Sequence, residues 1–179
     1  MQKYITKKLG RINGPDAYKP AVEKIQQYNE KNGAELGKIT QAANGETAVA
    51  IIDQFCRRVH ENMPQAADTV FIDATSNLDS LDYKLFHLIC PSATGGLPLG
   101  NVITSRQNEA TVKAEFELYQ TLLPPHAFFN KGTVGPAIVM TDDSKTNQNT
   151  IQAIWPNATL LLCLPYPSSF VEVGVGLGE

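Results

Sequence analysis

The sequence of 179 residues has little cysteine and no long apolar run. Its three cysteines, Cys56, Cys90 and Cys163, are an odd number with wide spacing, which argues against a disulfide framework and favours a reducing compartment. A membrane-spanning helix needs a run of about 18 apolar residues, and the sequence has none. Residues 1–30 lack the short apolar segment and the small-residue cleavage site of a secretory signal. We therefore expect an intracellular protein with no membrane partner.

The chain also lacks an excess of positive charge, because its formal net charge is -3 at pH 7. Proteins that bind nucleic acid on their own usually have a basic surface, so any contact with DNA must be local. The basic cluster in residues 3–11 fits a solvated helix face better than a DNA-binding arm. Apolar residues make up 42% of the chain and charged residues 18%, which predicts a globular domain with a hydrophobic core.

Two amphipathic patterns occupy the first part of the chain. Apolar residues within Tyr18–Asn32 recur at helical spacing, and Asn32-Gly33 supplies a stop signal. A second set, from Val49 to Val59, has spacings of three and four residues. We predict a helical N-terminal region over residues 1–67.

The pattern changes at Asp68 to short, β-branched runs separated by turn-forming residues. Three such runs predict consecutive antiparallel strands: Thr69–Asp73, Tyr83–Cys90 and Leu97–Thr104. Helix, strand, helix and strand patterns follow, at Asn108–Leu123, Pro136–Asp142, Asn147–Trp155 and Thr159–Leu164. Three antiparallel strands followed by parallel strands with crossover helices form the order of an RNase H-like mixed sheet. We therefore predict an α/β fold of this kind, since a Rossmann unit would begin strand, helix, strand.

Two aspartates directly follow apolar strand patterns. Asp73 ends the first predicted strand and Asp142 ends the strand that contains Ile138–Met140. Two carboxylates on neighbouring central strands suit Mg²⁺, which prefers oxygen ligands, and a metal pair can stabilise both reacting oxygens of a phosphodiester. The alternative is that these aspartates are turn residues or helix caps, with Asp143 or Ser144 capping the helix that follows.

The segment from Phe71 to Cys163 resembles the Mutator-like (MULE) transposase domain through FIDAT, GGLPLGNVITS, VMTDD and IQAIWPNATLLLC, in that order. The resemblance implies that Asp73 is the first catalytic carboxylate and Asp142 the second, with Asp143 as a less favoured candidate. It also implies Mg²⁺ or Mn²⁺ as cofactor, and cleavage and strand transfer of DNA at transposon ends. Nuclear localisation and a homo-oligomer are further expectations from the family.

The resemblance ends after Cys163. Family members continue with a histidine, where this chain has Tyr166, and then with a Trp-rich helix and a third acid, a glutamate. We therefore predict a truncated, inactive transposase domain over residues 68–164. Codons compatible with Leu164–Gly178, read one base later, can spell the expected histidine and the Trp-rich segment. We hypothesise that residues 165–179 are an out-of-frame tail, which the genomic sequence would test.

Two other functions stay open at this stage. One is a domesticated, non-catalytic module that interacts with DNA or protein. The other is an unrelated α/β metal-dependent enzyme that uses Asp142-Asp143, which would not need a central strand at Thr69–Asp73 next to Asp142. Cys56 and His60, four residues apart, are expected to be core residues and not metal ligands, because no second pair follows. His87 is assigned no role.

Overall fold

The computed structural model describes residues 18–42, 45–75, 83–105 and 109–163. The basic cluster at residues 3–11 and the hypothesised out-of-frame tail at residues 165–179 lie outside these ranges. In the described ranges helices alternate with strands along the chain, and the strands belong to one sheet.

Six α-helices occur in the described part of the chain: α1 Tyr18–Asn32, α2 Gln54–Asn62, α3 Gln65–Asp68, α4 Glu109–Gln120, α5 Ala127–Asn130 and α6 Lys145–Ile154. A short 3-10 helix at Gly132–Val134 follows α5. Side-chain caps begin two of them, because Asp53 accepts from the Cys56 N–H before α2 and Ser144 accepts from the Asn147 N–H before α6. None of the helices in the described ranges has the length and apolar character needed to cross a membrane.

Seven strands form one mixed sheet: β1 Gly37–Gln41, β2 Thr47–Ile51, β3 Thr69–Thr75, β4 Lys84–Ser92, β5 Gly95–Thr104, β6 Ile138–Thr141 and β7 Thr159–Leu162. Their order across the sheet is β1-β2-β5-β4-β3-β6-β7. The pairs β1–β2, β2–β5, β5–β4 and β4–β3 are antiparallel, whereas β6 runs parallel to both β3 and β7. The predicted α/β class with a mixed sheet is confirmed.

The N-terminal region differs from the prediction of helices alone over residues 1–67. Strands β1 and β2 form an antiparallel hairpin there, and β2 extends the sheet by pairing with β5. Val49 belongs to β2, and the helix that was predicted to include it begins only after the Asp53 cap. In a short apolar run the spacing fits a strand as well as a helix, so tertiary pairing decides between them.

One face of the sheet is packed and the other is partly open. On β3 and β4 the residues Val70, Ile72, Phe86 and Leu88 are buried, while their alternating neighbours are half-buried or exposed. Helices α2, α3, α4 and α6 contact the strands, and α4 also packs on α6. Strand alternation therefore sends one set of side chains into the core and the other towards the open face.

Aromatic side chains fill the space between the sheet and the helices. Phe116 meets Phe86 and Trp155 edge to face at 5.8 and 6.1 Å between ring centroids, and Trp155 meets Phe128 at 5.6 Å. Such edge contacts add to the free energy of apolar burial. Phe129, next to this cluster in sequence, is instead 42% exposed.

Candidate active site

The two predicted acids lie on neighbouring strands at the same level of the sheet. Strands β3 and β6 are parallel partners, and their last described pair is Ile72 with Thr141. Asp73 and Asp142 are the next residues along each chain, on strands about 4.8 Å apart by ordinary sheet spacing. Asp73 lies within β3, two residues before its end at Thr75, and Asp142 directly follows β6, so the two aspartates stand on adjacent strands.

Asp73 lies on the open face of β3. Its neighbour Ile72 is buried, while Asp73 itself is exposed. No other described residue donates a hydrogen bond to its carboxylate. No described neighbour therefore holds the Asp73 carboxylate.

Asp142 is half-buried and is held by the turn that leads into α6. Its Oδ1 accepts from Asn147 Nδ2 at 3.0 Å, from the Ser144 N–H at 3.2 Å and from Thr141 Oγ1 at 3.5 Å. No described residue donates to its other oxygen, Oδ2. Asp142 therefore acts as a turn residue, which was the alternative to a metal ligand in the sequence analysis. Its Oδ2 accepts from no described residue and can still bind a ligand.

Asp143, the less favoured candidate, is one residue beyond this level. It is exposed, and its Oδ1 accepts from Gln148 Nε2 at 3.3 Å. The cap of α6 is Ser144, one of the two residues suggested for that position. Because the register of β3 and β6 brings Asp142 to the level of Asp73, Asp142 is the better partner for it.

His87 is a neighbour of Asp73 to which the sequence alone assigned no role. It pairs with Asp73 across β3 and β4, and with Asn101 across β4 and β5. Its Nδ1 lies 2.6 Å from Asn101 Oδ1, within hydrogen-bonding distance of that acceptor. Period-two alternation puts His87 on the open face, but only the register shows that Asp73 lies beside it.

The donor chemistry of Asp73 and Asp142 fits a divalent cation. Mg²⁺ takes oxygen ligands and keeps several waters, so one or two carboxylates are a usual protein contribution. Within the four described ranges, no three side chains of histidine, cysteine, aspartate or glutamate gather as a metal-binding group. The described residues therefore supply the acid pair and no third carboxylate beside it.

The Cys56 and His60 pair is part of the core, as expected. His60 is fully buried, and its Nε2 lies 3.0 Å from the Leu99 carbonyl oxygen and 2.9 Å from the Tyr119 hydroxyl. Its Nδ1 accepts from the Phe128 N–H at 3.3 Å. Burial lowers the pKa of His60 to about 4 and raises that of Cys56 to about 12, so both side chains stay neutral.

No protein-family model matches this sequence, and no curated protein matches it. The interpretation of the site therefore depends on its geometry and on its residue types.

Proposed function

We propose that the chain is an RNase H-like catalytic domain of the MULE transposase type, in which Asp73 and Asp142 bind divalent metal for phosphodiester cleavage. The observation that carries the proposal is the placement of the two aspartates at the same level of adjacent parallel strands β3 and β6. The strand order supports it, because β3, β4 and β5 form an antiparallel set and β6 and β7 follow after helices α4 and α6. An unrelated enzyme using Asp142-Asp143 would not require β3 to be central.

The chain's own residues have separate tasks in this proposal. Asp73 offers its exposed carboxylate, and Asp142 offers Oδ2 while its Oδ1 is held by the α6 turn. When bound, Mg²⁺ or Mn²⁺ would activate a water or a 3′-hydroxyl and stabilise the leaving oxygen. No protein nucleophile is needed, and the DNA backbone would lie on the open face of the sheet.

Charge makes DNA binding at this site depend on a cation. The chain is net negative, and the described residues that hydrogen-bond to the two aspartates include no basic side chain. A phosphate brought next to two ionised carboxylates is repelled unless a divalent ion lies between them. We therefore expect specific contact with DNA only in the presence of divalent metal, with the protein acting in the nucleus.

The resemblance implies three acids, and in these 179 residues we match only two of them. Two carboxylates hold a metal ion more weakly than three, so we expect metal binding without efficient cleavage. The direct test is calorimetric titration of the full chain with Mn²⁺. Asp73→Ala and Asp142→Ala should each abolish saturable binding, whereas Asp143→Ala should retain it.

A plasmid-nicking assay with Mg²⁺ tests the cleavage part separately. The wild-type chain should nick DNA no faster than Asp73→Ala. Robust nicking that disappears in Asp73→Ala would show that the third acid is not needed, and binding of Mn²⁺ that survives loss of both aspartates would overturn the site itself.

A further inference from the structure

The first turn of α6 reaches back to the acids that precede it. Asn147 is 1% exposed, and its backbone N–H donates to Ser144 Oγ at 3.4 Å while its side-chain Nδ2 donates to Asp142 Oδ1 at 3.0 Å. The side chain is thus anchored inside the protein and touches the acid on the side away from the open oxygen. It is tied to the cap of its own helix and to the carboxylate at the end of β6.

This contact limits the orientations of the Asp142 carboxylate. Oδ1 accepts from the Thr141 hydroxyl, the Ser144 N–H and the Asn147 amide. Thr141 is the preceding residue and Ser144 donates from its backbone, whereas Asn147 donates from a buried side chain five residues away. A hydrogen bond to an ionised carboxylate is about twice as strong as one between neutral groups. Rotation of the carboxylate would break these bonds, so Oδ2 remains the oxygen available to a ligand.

We propose that Asn147 is a positioning residue that fixes Asp142 for metal binding; this inference rests on the proposed function of the Asp73 and Asp142 pair. Residues that orient a metal ligand through a hydrogen bond typically change metal affinity about 10- to 100-fold when they are removed. Asn147 touches neither the metal nor DNA in this account. Its effect on the metal acts through the hydrogen bond that it donates to Asp142.

The same helix turn provides a matched control. Gln148 Nε2 donates to Asp143 Oδ1 at 3.3 Å, and Gln148 is 9% exposed. Asn147 and Gln148 are therefore both largely buried amides that contact an aspartate five residues earlier. They differ in whether that aspartate stands at the level of Asp73.

The experiment measures Mn²⁺ affinity of the full chain by calorimetry, with circular dichroism to check the fold without metal. Asn147→Ala should weaken Mn²⁺ binding about 10- to 100-fold, and Gln148→Ala should change it less than about twofold. Asn147→Leu keeps about the volume of the buried side chain and removes its donors, so it should show the same loss of Mn²⁺ affinity. If Asn147→Ala unfolds, Asn147→Leu is the variant that tests the role of Asn147.

Three results would count against the inference. Wild-type affinity in folded Asn147→Leu, together with loss of binding in Asp142→Ala, would overturn the role of Asn147 and leave the proposed function intact. An equal loss in Gln148→Ala would assign the effect to the whole turn. Absence of saturable Mn²⁺ binding in the wild-type chain would instead overturn the proposed function, and this inference with it.

Discussion

Glu115 on α4 should lower the stability of the protein at neutral pH. Its side chain is fully buried, and among the described residues neither carboxylate oxygen has a hydrogen-bond partner of normal geometry. Burial raises its pKa from the ordinary 4.5 to about 8; the nearby charge of Glu46 adds to this, and the Thr104 hydroxyl counteracts part of it. At pH 7 the folded protein therefore keeps a proton on Glu115 that the unfolded chain has lost.

The magnitude follows from this difference in proton binding. Below pH 4.5 both states are protonated, and Glu115 causes no pH dependence. Between pH 4.5 and about 8 only the unfolded state is ionised, so the free energy of unfolding falls as pH rises. At about 1.4 kcal/mol per pH unit, this group alone lowers stability by roughly 3 kcal/mol between pH 4.5 and pH 7.

Replacing the acid by its neutral amide removes the effect. Urea unfolding followed by circular dichroism should give similar stabilities for wild type and Glu115→Gln at pH 4.5, and by pH 7 the variant should be more stable by roughly 3 kcal/mol. Glu117→Gln is the control, because Glu117 lies on the same helix with a side chain that is 55% exposed. A difference between wild type and Glu115→Gln that does not change with pH would refute the reasoning.

Two further predictions concern the core. His60 has its pKa lowered to about 4 and is neutral in the folded protein, so the stability that depends on its neutral form is fully present above pH 6.5 and is lost as pH falls towards 4. Over this window the free energy of unfolding should fall less for His60→Gln than for wild type, by up to about 3 kcal/mol in chemical unfolding. An equal fall in both proteins would contradict the buried neutral state. Gly135 has φ +82, and a Cβ there would collide with the Trp155 ring, so Gly135→Ala should lower the free energy of unfolding by more than about 2 kcal/mol. Gly132 is the control, because it has φ +57 but a Cβ there would meet no atom closer than 3.5 Å, and Gly132→Ala should lower the free energy of unfolding by about 1 kcal/mol. Equal losses in the two variants would show that the Trp155 contact is unimportant.

Local sequence patterns predicted the central elements because each has a clear period and clear boundaries. The apolar run before Asp73 predicted β3, which continues two residues further to Thr75, and Ser144 caps the start of α6. The β1–β2 hairpin was not predicted, since the apolar spacing around Val49 fits both a helix and a strand. Pairing with β5 decides it, and that pairing joins residues far apart in the chain.

The candidate site was predictable in its acids and not in its supporting side chains. The apolar runs before Asp73 and Asp142 predicted that both carboxylates lie on or beside strands. The contact of His87 with Asn101 depends on the register of β4 and β5, and the contact of Asn147 with Asp142 depends on the rotation of α6. Neither quantity is specified by residue spacing within one element.

The central claim is that Asp73 and Asp142 bind the same divalent metal site, and crystals soaked in Mn²⁺ test it most directly. We expect anomalous density bonded at about 2 Å to oxygens of both carboxylates, from one ion or from two ions roughly 4 Å apart. Asp142 should bind through Oδ2 while Asn147 holds Oδ1, and Asp143 should make no bond to the metal. Density at another place, or aspartate oxygens too far apart to share such ions, would contradict the account.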